Sequence, residues 1–110
     1  MAPPTTVELD VYSGRVNPSW ELPAEDSREL ARRLAGLATA ATPPAEPGLG
    51  YRGFVISSPG RSVRVYQGVV SVSEGGATHH YRDSGQLERW LAEQARARGH
   101  GDLVAGVAPP

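Results

Sequence analysis

Five residues in two short segments carry side chains that together could bind an anion. Arginine is a planar, bidentate donor for carboxylate or phosphate, and tryptophan and tyrosine add aromatic surface for a ring or a cation. The candidate binding site therefore consists of Arg15, Asn17, Trp20, Tyr51 and Arg52. In the alternative interpretation these residues only shape turns and cover the core, with Arg15 paired to Asp10 or Glu21.

The segment of residues 12–20 joins a predicted strand to a predicted helix, and its residue types favour a shaped turn. Gly14 accepts a positive φ at little cost, and Pro18 drives Asn17 toward an extended conformation. The Asn17 side chain can also bond the backbone nearby. Because a helix follows, its free N–H groups would favour an anion beside Arg15.

The three histidines suggest a second kind of site, a metal centre. Imidazole and carboxylate suit zinc, nickel or copper, and the candidate ligands are His79, His80, Asp83 and His100. Neighbouring residues on a strand point to opposite faces, so His79 and His80 do not easily share one ion. A neutral, hydrogen-bonded His79 on the apolar face is the simpler interpretation. A pairing of His80 with Glu74 or His100 stays open.

The sequence contains little evidence for a catalytic site. Glu8 and Asp10 share one strand face and could share a proton if they were shielded from water, but such pairs more often form a solvated face. The sequence contains neither cysteine nor lysine, which excludes thiolate and Schiff-base chemistry. It also lacks a phosphate-binding loop. We therefore favour a protein without enzyme activity, and we predict no catalytic residue, no bound metal and no cofactor.

Apolar spacing predicts the elements that would position these residues. Apolar residues alternate from 5 to 12, as in a half-buried strand. Residues 23–41 show helical spacing, with acidic residues first and arginines later. A proline-rich connection follows at 42–50, and residues 84–98 predict a second helix with Asp83 at its N-cap.

Three two-residue turns predict an antiparallel meander of four strands between these helices. They pair Ile56 with Val63, Phe54 with Val65, Val65 with Val70, Val63 with Val72, Val72 with His79, and Val70 with Tyr81. All three registers put the large apolar residues on one face. The predicted fold is a two-layer α+β sandwich with the order strand, helix, four-strand antiparallel meander, helix. The pairing direction of the first strand stays open.

Length and charge predict one domain that binds neither nucleic acid nor membrane. A net charge of −1 over 110 residues differs from the strong basic excess of polyanion binders. The sequence contains no apolar run of about 20 residues, as a membrane span needs. The N-terminus also has no signal pattern, so we expect a cytoplasmic location. We expect a disordered tail at 1–4, the domain at 5–99, and a loose tail at 100–110.

A protein or peptide partner is the favoured function. Helices on one face of the sheet would leave the other face, and any unprotected edge, for a partner or for a second copy in a homodimer. The register places on this outer face Tyr12, Val55, Tyr66 and Val69. A small anionic ligand bound by Arg15, Asn17 and Trp20 is the alternative, and metal binding through histidines is the third hypothesis.

Two motifs stand out beyond these elements. The first runs Asp10-Val11-Tyr12-Ser13-Gly14-Arg15 and continues with Asn17-Pro18-Ser19-Trp20; the second is Leu49-Gly50-Tyr51-Arg52-Gly53-Phe54. With the helical Leu87-Glu88-Arg89-Trp90-Leu91, they resemble a group of small bacterial proteins, common in actinomycetes, that carry an SGRxNPxW opening and a later LGYRGF. The resemblance covers about residues 6–98. It implies a compact domain, and it implies no activity and no catalytic residues.

Overall fold

The chain forms six strands and three helices over the residues that a computed structural model describes, which are 5–12, 14–40, 50–84 and 86–105. In order they are β1 (Thr6–Leu9), β2 (Ser19–Glu21), α1 (Ala24–Leu34), β3 (Phe54–Ser58), β4 (Arg61–Tyr66), β5 (Val69–Glu74), β6 (Ala77–Arg82), α2 (Leu87–Ala97) and α3 (Gly101–Val104). The strands form an antiparallel sheet of order β2-β1-β3-β4-β5-β6. The predicted α+β sandwich class is confirmed.

The meander from β3 to β6 has the register that its turns predict. Phe54 and Ile56 pair with Val65 and Val63; those two pair with Val70 and Val72, which in turn face Tyr81 and His79. In the second turn Gln67 and Gly68 have φ of 48° and 83°. Two positive φ angles define the turn type whose twist matches the flanking strands, so Gln67 serves here although glutamine is an unusual choice.

One face of this sheet forms the core with the helices. The strands contribute Val7, Leu9, Phe54, Ile56, Val63, Val65 and Val70, and the helices contribute Leu30, Leu87, Leu91, Ala92, Ala95 and Val104. Each large apolar side chain buried in this way stabilises the fold by about 1.5–3 kcal/mol.

The other face of the sheet is polar. Ser57 and Ser62 are exposed there, and one hydrogen bond of 2.8 Å joins Ser71 Oγ on β5 to His80 Nδ1 on β6. The four residues expected to expose apolar or aromatic surface on this face are covered more than predicted: Tyr66 is buried, and Tyr12, Val55 and Val69 are half-buried.

The first helix is shorter than its apolar stripe predicts. It ends at Leu34 rather than at residue 41, because Gly36 turns with a φ of 75°. The chain then runs along the outer edge of β6. There Ala40 N–H donates to His80 O at 3.0 Å, and Arg82 N–H donates to Ala38 O at 2.8 Å. These bonds cover part of an edge strand that would otherwise be open to pairing. Residue 41 lies outside the described residues.

Two short elements were not expected. Strand β2 pairs antiparallel with β1, which also pairs antiparallel with β3, so the open pairing direction of the first strand is settled. The expected loose tail from residue 100 is wrong at Gly101–Val104, which is helical and buries Val104 completely. The expectations for residues 1–4, 41–49 and 106–110 fall outside the described residues.

The second helix begins at Leu87, three residues later than predicted. Asp83 still caps it, since its two carboxylate oxygens accept the N–H groups of Leu87 at 2.6 Å and Glu88 at 2.9 Å. The predicted capping box with Gln86 is wrong, because Gln86 itself takes the N-cap position in a left-handed conformation.

Candidate functional site

Asp10, directly after β1, is the centre of a charged group on the polar side of the sheet. The residue is only 9 % exposed. Its Oδ1 accepts hydrogen bonds from Arg52 Nε at 3.2 Å and Nη2 at 2.9 Å, and its Oδ2 accepts one from Arg64 Nη1 at 2.9 Å. We call the set of Glu8, Asp10, Asn17, Arg52 and Arg64 the Asp10 cluster.

The two arginines decide the ionisation of Asp10. Burial alone raises the pKa of this carboxyl, but hydrogen bonds from Arg52 and Arg64 and their positive charges outweigh it, so the pKa of Asp10 lies below its usual value. The carboxylate is therefore charged at neutral pH, and it neutralises one of the two guanidinium charges.

Asn17 fixes the loop between β1 and β2. Its side-chain oxygen accepts the N–H groups of Val11 at 3.1 Å and Tyr12 at 2.8 Å, and its amide nitrogen donates to Glu8 Oε2 at 2.7 Å. Arg52 Nη2 adds a bond of 2.8 Å to the carbonyl of Tyr12. The side chain that the motif suggested as a ligand contact thus works as a turn residue.

The tip of this loop, residues 14–17, displays two side chains to solvent. Gly14 has a φ of 78°, which glycine adopts without strain. The guanidinium carbon of Arg15 lies 4.2 Å from the centroid of the Tyr12 ring. Val16 is 91 % exposed. Among the described residues, no other large apolar side chain is exposed to solvent in this way. The loop tip therefore presents a cation beside an apolar group.

Trp20 belongs to the core and not to this polar side. It pairs with Val7, whose side chain points inward, and it is buried. Its indole N–H donates to Gln94 Oε1 at 2.9 Å, and its ring stacks on His100 with centroids 6.2 Å apart. Trp20 therefore closes the core beneath α2 and α3.

Tyr51 also points into the helical layer. Its hydroxyl donates to Glu88 Oε2 at 2.6 Å, and Glu88 is only 2 % exposed. The backbone amides of Gly68 and Gln67 also act on this carboxyl and lower its pKa. The buried Glu88 thus ties the first turn of α2 to the start of β3 and to the β4–β5 turn.

Burial dominates the ionisation of this pair. It raises the pKa of the Glu88 carboxyl, with a further rise from the charge of Asp83, and the donors from Tyr51 and the turn offset this only in part. Burial and the adjoining Glu88 likewise raise the pKa of Tyr51. Tyr51 therefore stays a neutral donor at any physiological pH.

Glu88→Gln is predicted to change how stability depends on pH. Since the folded pKa of Glu88 exceeds its ordinary 4.5, its contribution favours the folded state most below pH 4.5 and is lost as the pH rises through the folded pKa. Glu88→Gln does not lose stability in this way. Its free energy of unfolding should therefore increase relative to that of the wild type as the pH rises. Urea unfolding from about pH 4 to 8 measures the difference; parallel curves would contradict the assignment.

The five predicted site residues therefore divide between two sides of the sheet. Arg15, Asn17 and Arg52 lie together around the loop, whereas Trp20 and Tyr51 face the helices. Two clefts of about 290 and 320 Å³ lie along the helices, and neither is lined by any of the five. The five residues thus do not converge on a single site.

The sequence did not point to Arg64 or Glu88. Alternation along β4 puts Arg64 on the outer face, but its approach to Asp10 depends on β1 lying beside β3, which no local pattern indicates. Glu88 occupies an inward helix position, where a carboxylate is rare. A carboxylate at a position of the apolar stripe was therefore the signal in the sequence for a buried polar contact.

The histidines stay apart. His79 pairs with Val72, as its register predicts, and it is exposed. His80 bonds Ser71, and His100 lies on Trp20. Within the described ranges, no three His, Asp or Glu side chains come close enough to hold a metal ion.

Neither a protein-family model nor a curated protein nor a solved structure matches the chain. The resemblance of its two motifs to small bacterial proteins therefore stays a prediction. In the described part of the chain, no helix has the length and apolarity to cross a bilayer. The function is inferred from the residues themselves.

Proposed function

We propose that the protein is a small binding domain that engages a partner protein through the loop tip, residues 14–17. The observation that carries this proposal is that Val16, 91 % exposed, lies beside the exposed Arg15 at the tip of a turn. An exposed valine lacks the stabilisation of about 1.5–3 kcal/mol that burial would supply, and a partner surface can recover it. A single exposed apolar side chain is ordinary on a protein surface; what distinguishes this one is the cation at its side.

The base of the loop is held in place by hydrogen bonds. Asn17 Oδ1 accepts the N–H groups of Val11 and Tyr12, and Arg52 Nη2 donates to the Tyr12 carbonyl. A base fixed in this way lowers the conformational freedom that the loop loses on binding. Arg15 lies over Tyr12 and makes no ion pair within the described residues. It is available to a carboxylate on the partner. The complementary surface is therefore an apolar hollow with an acidic group at its rim.

The two other hypotheses about binding have less support. The outer sheet face exposes little apolar surface, since Tyr66 is buried and Val55 is half-buried. A small anionic ligand at Arg15, Asn17 and Trp20 would need these residues to converge, but Trp20 lies in the core. A homodimer through the loop tip remains one outcome of the test.

Photo-crosslinking at residue 16 tests the proposal. A photoreactive benzoylphenylalanine replaces Val16 in cells of the natural host, and the same group at the exposed Ser62 is the matched control. We expect a discrete adduct from position 16 alone, which Arg15→Glu abolishes without changing stability. Adducts of the same kind from both positions, or none from position 16, would refute a role for the loop tip. An adduct of twice the chain mass would identify a second copy as the partner.

A further inference from the structure

A cleft of about 290 Å³ lies between the end of α1 and the first turns of α2, away from the loop tip. It is lined by Arg33, Gln86, Arg89, Trp90 and Glu93. The four residues of the second helix segment follow a spacing of three and four, so they form one face. This volume is close to the lower limit of about 300 Å³ for small-molecule sites, and it suits a ligand with a single ring.

The cleft has an aromatic wall held in place by a cation. Trp90 is half-buried and packs against the core. The guanidinium carbon of Arg33 lies 5.2 Å from the centroid of the Trp90 ring, and Arg33 Nε donates to Glu29 Oε2 at 2.7 Å. The guanidinium thus covers one face of the indole, and its own planar surface can stack with a planar ring.

Arg89 is the cation in the cleft whose present contacts a ligand can most easily replace. Its side chain is 51 % exposed. Its contacts are long, at 3.5 Å from Nη1 to Gln86 Oε1 and 3.6 Å from Nε to Glu93 Oε1. Bidentate arginine–carboxylate bonds are shorter and stronger than these. A ligand carboxylate can therefore replace them.

Gln86 lies in the cleft wall at the start of α2. Its Oε1 is 3.5 Å from Arg89 Nη1, so its amide lies beside that cation.

We propose that this cleft binds a small aromatic carboxylate, with the ring against Trp90 and Arg33 and the carboxylate on Arg89. The other cleft, of about 320 Å³, is lined by Glu25, Arg28, Glu29 and Arg32. Its lining has no aromatic side chain, so it lacks a surface on which the ring could stack. The proposal goes beyond partner binding, because it concerns a different part of the surface.

Titration with benzoate, against the neutral benzamide, tests the proposal. In a Trp20→Phe chain the fluorescence reports Trp90 alone. We expect a saturable change with benzoate, and binding about tenfold weaker or worse for benzamide. Arg89→Gln should weaken benzoate binding to a similar extent, whereas Arg28→Gln, on the other cleft, should not change it.

Three results would overturn the proposal. They are no saturable change up to about 10 mM benzoate, equal binding of benzamide, or full binding by Arg89→Gln. If Trp20→Phe does not fold, line broadening of the benzoate NMR signals in the presence of wild-type chain and of Arg89→Gln decides the same question. Crosslinking at Val16 does not depend on any of these results.

Discussion

Replacing Gly53 by alanine is expected to destabilise the fold by more than about 3 kcal/mol. A Cβ at this position would lie 2.2 Å from the carbonyl oxygen of Val65 and 2.8 Å from the Cβ of Tyr66. Both are main-chain or near-main-chain atoms of β4, a strand paired on both sides, so they cannot retreat cheaply. In addition, φ at Gly53 is +89°, a conformation that strains alanine.

The variant Gly60→Ala separates the two contributions. Gly60 has a φ of +75°, but nothing lies within 4 Å of a Cβ there. Its substitution should therefore cost only about 1–2 kcal/mol, from the backbone conformation. Urea unfolding of both variants gives the comparison. Equal costs would show that the contact with Val65 is not what makes Gly53 necessary.

Gly53 also explains why the second motif lies beside the first. Its carbonyl accepts the N–H of Asp10 at 3.0 Å, while the carbonyl of Asp10 accepts the N–H of Arg52 at 2.7 Å. These two bonds extend the β1–β3 pairing past Leu9. Close backbone approach at Gly53 therefore brings the Arg52 side chain to the Asp10 carboxylate.

The part of the fold that the sequence predicts correctly is the part specified by local turns. Each two-residue turn between β3 and β6 sets a register on its own, and the apolar residues agree among all three. The end of α1 is different. After the turn at Gly36, the following residues gain hydrogen bonds to β6. That strand is about 40 residues away along the sequence, so no local pattern reveals the contact.

The placement of the candidate site residues depends on β2, a strand of three residues that is too short to recognise from the sequence. In β2 only Ser19, Trp20 and Glu21 are extended, so alternation does not show which face Trp20 takes. Its pairing with Val7 sends it inward and separates it from Asn17. The Asp10 cluster likewise requires the order β1-β3-β4 across the sheet. Residue types pointed to the two loops, but only tertiary pairing decides where their side chains lie.

Replacing Asp10 by asparagine is expected to lower the free energy of unfolding by about 2–4 kcal/mol at neutral pH. Asparagine keeps the shape but removes the charge that Arg52 and Arg64 share. Because removing one partner of a buried pair leaves the other charge uncompensated, the loss exceeds that of a surface pair. It stays below the largest known values, since the Arg64 side chain is 41 % exposed and partly hydrated.

The dependence of this loss on pH identifies its origin. The folded pKa of Asp10 is lowered, so its contribution is present above the unfolded pKa of about 3.9 and is lost as the pH falls through the folded pKa. The difference between wild type and Asp10→Asn should therefore shrink in acid. The contribution of Glu88 to stability has the opposite dependence on pH. The chains with Asp10 and with Asp10→Asn are therefore best compared when both also carry Glu88→Gln.

An exposed ion pair supplies the control for Asp10→Asn. Glu93 lies 3.6 Å from Arg89, and both side chains are more than half exposed. Glu93→Gln should therefore change stability by less than about 1 kcal/mol at any pH. Urea unfolding near pH 7 and near pH 3 compares the two variants. A loss for Asp10→Asn that is equally large at both pH values would mean that packing around the side chain, and not its charge, connects the two motif loops.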